Sequence, residues 1–170
     1  KYKNLNLDAV SVHIGSQILS ENPFKKTLKV LEEIILKTKV RFKFVDLGGG
    51  FGIKYTKKDK RIKLKNYSNL VEKFKKKYNC KIIFEPGRAI VGNSAILVAK
   101  ILYLKKGVNK KFAILNAGMN DFMRPALYDA THNILPIVKN NKKIDSAVEF
   151  VGPICETTCK FIKYKKYQKI

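Results

Sequence analysis

The sequence predicts an α/β layer followed by a mainly β region, and three observations carry that prediction. Short apolar strands alternate with amphipathic helices in the first half, the pattern of parallel β/α units. A glycine-rich or polar segment follows each of those strands directly. Beyond about residue 93 the alternation stops, and β-branched and aromatic runs succeed one another with no long amphipathic helix between them. The division is therefore drawn at residues 1–92 and 93–170.

Residues 9–14 read as the first strand, with Ser16 and Gln17 opening the loop after it. Asn22 and Pro23 form a cap and first-turn signal for a helix whose apolar face is Phe24, Leu28, Leu31 and Ile35. Residues 42–47 make a second strand that runs straight into Gly48, Gly49 and Gly50. After a lysine-rich loop, Tyr67, Leu70, Val71, Phe74 and Tyr78 mark a second helix, and residues 81–85 a third strand. In the second region, residues 95–104, 112–116 and 147–150 read as strands.

Composition excludes several function classes. With 170 residues and 45% hydrophobic content the chain can bury one sizeable core or two small ones. The formal charge of +23 is spread over helix faces and loops rather than gathered, and no nucleic-acid-binding motif accompanies it, which argues against a nucleic-acid role. Only four of the 36 basic residues are arginines: Arg41, Arg61, Arg88 and Arg124. Where lysine supplies diffuse charge, arginine marks a need for a planar bidentate fork. Three cysteines, Cys80, Cys155 and Cys159, with no CxxC pair, indicate neither a disulfide framework nor a metal site, and fit a reducing, cytoplasmic setting. No apolar run reaches the length of a membrane span. A start at Lys1, without methionine and directly before a strand, is read as a piece of a longer polypeptide.

Candidate chemistry gathers at the strand ends. His13 closes the first strand, either as a satisfied histidine or as an imidazole facing a ligand beside Ser16. Four glycines in residues 48–52 favour backbone N–H groups approaching an anion over a plain turn. Glu85 and Arg88 flank Pro86 and Gly87. They form a strand-end salt bridge, or face separate partners, the carboxylate holding a heteroaromatic nitrogen protonated and Gly87 and Arg88 offering donors to an anion. The convergence at successive carboxyl ends favours the second, because β/α barrels place their sites there. Arg124 and Tyr128 share a face if their segment turns helically, with Pro125 in its first turn. Cys155 and Glu156 are a buried thiol and a surface acid, or a proton carrier beside a carboxylate.

Taken in order, HIGSQ (13–17), DLGGGFG (46–52), EPGR (85–88), AGMNDFMRPALYDA (117–130) and GPICE (152–156) resemble the fold type III pyridoxal-phosphate decarboxylases, in the diaminopimelate branch. The resemblance implies the C-terminal part of a PLP-binding (β/α)8 barrel followed by part of a mainly β domain. It implies pyridoxal 5'-phosphate as cofactor, with His13 stacking on its ring, Glu85 paired to its ring nitrogen, and Ser16, Gly48, Gly49, Gly50, Gly87 and Arg88 about its phosphate. Arg88, Arg124 and Tyr128 would hold substrate carboxylates, Glu156 the distal ammonium, and Cys155 would move a proton. The implied reaction converts meso-2,6-diaminopimelate to L-lysine and carbon dioxide, the last step of lysine synthesis. The implied assembly is a homodimer whose Cys155 and Glu156 complete the partner's site.

In this family the lysine that carries the cofactor lies upstream of HIGSQ, and a cofactor-facing tyrosine lies near the C-terminus. Neither falls within the chain, so the isolated 170 residues are expected to be inactive and to fold poorly alone. Thr131, Asn116 and Cys159 stand where the family commonly has a tyrosine, an aspartate and an acid. The alternatives are an ornithine or arginine decarboxylase or a racemase of the same fold, a non-catalytic PLP-binding relative, and a basic nucleic-acid binder.

Overall fold

Phe24, Leu28 and Leu31 lie at helical spacing, and all three are buried on one face of helix α1 (Asn22–Thr38). The computed structural model describes residues 3–56, 58–138, 144–145 and 147–168. It resolves into two units, Lys1–Ile96 and Leu97–Ile170.

In the first unit, strands β1 (Ala9–Ser11), β2 (Phe44–Asp46) and β3 (Lys81–Ile83) pair in parallel in the order β1-β2-β3. The crossovers are α1 and α2 (Leu64–Tyr78), as parallel neighbours require. Val45 at the centre of β2 is fully buried and joins Phe24, Leu28, Leu31, Tyr67, Val71 and Phe74 in one core. Burial of each such side chain contributes roughly 1.5–3 kcal/mol. Phe51, beyond β2, stacks on Phe24 at 5.1 Å and meets Tyr67 edge-on at 5.1 Å, which ties the end of the glycine run to both helices. Lys39 and Asn79 close the two helices in left-handed conformation, with φ of 57° and 46°.

The strands are shorter than the apolar runs suggest. β1 stops at Ser11 rather than residue 14, and left-handed backbone follows at Gly15 and Gln17. β2 occupies only Phe44–Asp46 of residues 42–47, with Gly48 already at φ 63°, and β3 only Lys81–Ile83 of residues 81–85. Asn22 does not cap α1. The cap position is Glu21, which makes no side-chain cap bond. Its carboxylate instead accepts from the Lys63 N–H at 3.2 Å and Asn66 Nδ2 at 3.5 Å, joining the starts of the two helices. A one-turn helix, α3 (Arg88–Val91), follows Gly87.

The second unit carries a four-stranded mixed sheet, β4-β5-β7-β8. Its strands are β4 (Ile101–Lys106), β5 (Lys111–Leu115), β7 (Val148–Val151) and β8 (Lys160–Tyr164). β4 and β5 form a hairpin, whereas β5 and β7 run parallel because the long connection between them returns to the same end through helix α4 (Arg124–Tyr128). A separate short pair joins β6 (Ile144–Asp145) to β9 (Tyr167–Gln168). Ala113, Leu115, Val148 and Phe150 form the core, with Phe150 against Tyr164 and Tyr167 at 6.0 and 5.0 Å. The run 95–104 yields a strand only from Ile101, where its partner β5 ends at Leu115. The run 147–150 shifts by one residue to Val148–Val151. Strand β8, among lysines, has no counterpart in the sequence expectation.

Candidate active site

The last paired positions of the parallel sheet are Ser11, Asp46 and Ile83, side by side. Two residues beyond those positions in the chain stand His13, Gly48 and Glu85, so an imidazole and a carboxylate follow the outer strands and a glycine follows the central one. Backbone bonds extend the register one step past the strands, Val12 N–H donating to Asp46 O and Leu47 N–H to Ile83 O, both at 3.0 Å; Glu85 N–H then donates to Gly48 O at 2.8 Å, one residue beyond the Leu47 carbonyl that the register would supply. Asp46 stiffens the centre, accepting from the Ser11 hydroxyl at 3.1 Å and from Gly48 N–H at 2.8 Å.

The glycines are set by the closeness of the flanking strand ends. A Cβ on Gly48 would lie 2.5 Å from Val12 O and 3.0 Å from His13 Nδ1, and one on Gly49 would overlap the Glu85 carbonyl oxygen. Gly49 N–H is donated to His13 Nδ1 at 3.3 Å. Two of the amides that the sequence offers to an anion, those of Gly48 and Gly49, thus have partners within the chain. His13, Ser16 and Glu85 are exposed, while Gly48 and Gly49 are buried beneath them.

Glu85 and Arg88 do not pair with each other among the described ion pairs. The Arg88 guanidinium donates through Nη1 to Gln17 Oε1 at 3.1 Å, and its carbon lies 5.9 Å from the centre of the Tyr55 ring. Gln17 is itself clamped to Ile53, donating from Nε2 to the carbonyl at 2.6 Å and accepting from the N–H at 3.3 Å. Its backbone is left-handed, with φ 60°.

In the second unit, Arg124 and Tyr128 do share a face of α4: the guanidinium carbon stands 5.6 Å from the ring centre, and Pro125 lies in the first turn. Gly118 N–H donates to Asp121 Oδ2 at 2.7 Å in the turn that leads into that helix. Cys155 is exposed, so the reading of it as a buried thiol is overturned; the buried thiol in this segment is Cys159, whose Sγ accepts from Met119 N–H at 3.4 Å. Glu156 is exposed and accepts from the Thr157 hydroxyl and N–H at 3.0 and 2.8 Å. These donors hold its carboxyl below the usual range, so it is charged. An apolar cleft of about 470 Å³ opens between α4 and this turn, lined by Met119, Met123, Leu127 and Ile154 among others.

Sequence reasoning missed Gln17, Tyr55 and Asp46. The only signal was that Gln17 closes the HIGSQ run and Asp46 opens DLGGGFG, because their roles rest on partners 36 or more residues away or on backbone bonds. Among the described residues no group of three His, Cys, Asp or Glu side chains is placed to hold a metal ion, and no helix is long and apolar enough to cross a membrane.

With this fold and these strand ends in view, the chain belongs to a family of cofactor-dependent enzymes. The family described as pyridoxal-dependent decarboxylase, C-terminal sheet domain, matches residues 9–169. Within it, the chain is 40% identical over 161 residues to diaminopimelate decarboxylase of Aquifex aeolicus, covering 92% of this chain and 38% of that protein. It is 40% identical over 158 residues to the Haemophilus influenzae protein of the same name, covering 91% and 38%. The crystal structure of Helicobacter pylori diaminopimelate decarboxylase complexed with L-lysine superposes with a TM-score of 0.81 at 37% identity, over 95% of this chain and 40% of that one. The lysine/ornithine decarboxylase of Vibrio vulnificus complexed with cadaverine, 19% identical, shares the fold with a TM-score of 0.83, over 98% of this chain and 47% of that one. The chain spans about two fifths of the length of the curated relatives it matches.

Proposed function

We propose that the protein containing this chain decarboxylates meso-2,6-diaminopimelate to L-lysine and carbon dioxide with pyridoxal 5'-phosphate. The observation that carries the reading is that His13, Gly48 and Glu85 each follow the carboxyl end of one of three adjacent parallel strands, in a chain about 40% identical to diaminopimelate decarboxylases.

The residues fit that cofactor. His13 offers a flat ring held in place by Gly49, Glu85 an exposed carboxylate beyond the neighbouring outer strand, and the glycines after the central strand carry no side chains between them. When bound, the cofactor supplies an electron sink for the pair left by departing carbon dioxide. Glu85 holds the ring nitrogen protonated, which keeps that sink open. Ser16, Gly50, Gly87 and Arg88 offer donors to the phosphate. Arg88 is read as a contact to a substrate carboxylate, as are Arg124 and Tyr128 on α4, and Glu156, charged through its Thr157 donors, as a contact to the distal ammonium. Cys155, exposed beside Glu156, carries the proton that replaces the lost carboxyl group. In this reading the protein is a cytoplasmic homodimer, with Cys155 and Glu156 serving the partner's site.

The test is turnover by the full-length protein. Carbon dioxide release from meso-diaminopimelate well above that from ornithine or arginine supports the reading, and equal or better turnover of either of those two overturns it. Glu85→Ala should lower kcat by at least about a hundredfold, since the electron sink loses its proton partner.

A further inference from the structure

We infer that Gln17 is a positioning residue that aims the Arg88 guanidinium at the substrate's retained carboxylate. The inference rests on the reading above that Arg88 binds a carboxylate, and it adds the device that sets the direction of that contact.

An arginine side chain carries several rotatable bonds, so a free guanidinium loses considerable entropy when it grips a ligand. Here the loss is met in advance by the fold. Gln17 sits in the loop after β1, and its side-chain amide reaches across to Ile53, donating to the carbonyl and accepting from the N–H of that one residue at 2.6 and 3.3 Å. That pair of hydrogen bonds to backbone leaves the glutamine no freedom to turn. Its Oε1 then takes one Nη1 proton of Arg88 at 3.1 Å. Tyr55, two residues beyond Ile53, lies under the guanidinium at 5.9 Å, and Gly92 packs so closely on the Arg88 stem that a Cβ there would come within 3.0 Å of its Cγ.

The geometry has a chemical consequence. A glutamine accepts a hydrogen bond without neutralising the cation, whereas a glutamate in its place would form a competing ion pair. Arg88 therefore keeps its full charge and its remaining N–H donors for a ligand while its plane is fixed by a neutral neighbour. The left-handed backbone of Gln17, φ 60°, is a conformation that costs energy in a non-glycine residue, and the two bonds to Ile53 hold it there.

The experiment compares two ligands that differ by one carboxylate, L-lysine and cadaverine, by calorimetric titration of the full-length protein loaded with pyridoxal phosphate. Gln17→Met removes the acceptor at similar size. It should weaken L-lysine about tenfold, as expected for loss of one hydrogen bond to a charged group, and leave cadaverine within about twofold. In an Arg88→Lys background the same change should have no further effect on L-lysine. If Gln17→Met does not fold, Gln17→Glu keeps the acceptors and adds a rival carboxylate; it should weaken L-lysine without weakening cadaverine. Equal weakening of both ligands, or an unchanged L-lysine affinity while Arg88→Lys weakens it, overturns the inference. An L-lysine affinity indifferent to Arg88→Lys instead overturns the reading of Arg88 as a carboxylate contact.

Discussion

Gly49 donates its backbone N–H to Nδ1 of His13 at 3.3 Å, so a residue of the loop after β2 fixes a ring two residues beyond the end of β1. A nitrogen that accepts cannot carry the proton, which places it on Nε2 of the neutral ring. Long-range proton–nitrogen NMR of the full-length protein should show Nδ1 of His13 unprotonated and Nε2 protonated in the neutral ring. The opposite tautomer would contradict this contact.

Gly49→Ala tests the packing behind that bond. The new Cβ would overlap the Glu85 carbonyl oxygen, a backbone atom that cannot rotate away. Destabilisation of at least about 1–3 kcal/mol is expected from overpacking, read as a lowered Tm. An unchanged Tm would show that the strand ends are looser than described.

Asp46 holds the turn after β2 to the end of β1. Asp46→Ala strips an acceptor from Gly48 N–H and from the Ser11 hydroxyl. Denaturant unfolding should show a loss of about 1–3 kcal/mol, the cost of leaving a half-buried donor unpaired.

Tyr67 is 5% exposed, and its hydroxyl has no hydrogen-bond partner among the described residues. Burial pushes its pKa up to about 12. A raised folded-state value means that stability is fully present below the ordinary 10 and declines as pH rises through 12. Tyr67→Phe keeps the ring contacts with Phe24 and Phe51, so thermal melts should show equal or higher stability at neutral pH and a flatter alkaline limb.

Glu156 shifts the other way. Its carboxyl lies below the ordinary 4.5 because Thr157 and Thr158 donate to it. The associated stability is present above 4.5 and lost as pH falls through the depressed folded-state value. Thr157→Val removes the hydroxyl donor, and a carbon-detected NMR titration should find the Glu156 pKa raised toward 4.5. No rise would assign the shift to the backbone donors alone.

The two long helices and their alternation with parallel strands were legible in the sequence because they rest on local patterning: Phe24, Leu28 and Leu31 announce a buried face whatever lies opposite. That His13, the glycines and Glu85 follow the carboxyl ends of successive strands was legible from the order of apolar runs and polar or glycine segments, although the strands stop short of the expected limits and Arg88 opens a helical turn. Strand limits were not, since pairing ends where a partner ends, as at Ile101 opposite Leu115. Nor was strand β8, whose lysine-rich run acquires its role only beside β7.

What the sequence determined by itself is a set of residue types in order, and with it membership of a decarboxylase family. Only the tertiary structure decided what each group does with its neighbours. The glycines after β2 are demanded by the backbones of His13 and Glu85 on either side, and Arg88 turns from the nearby Glu85 to Gln17, 71 positions away. The physical reason is that a strand's sequence specifies which side chains alternate along it, whereas distances across strands arise only once the parallel sheet has formed.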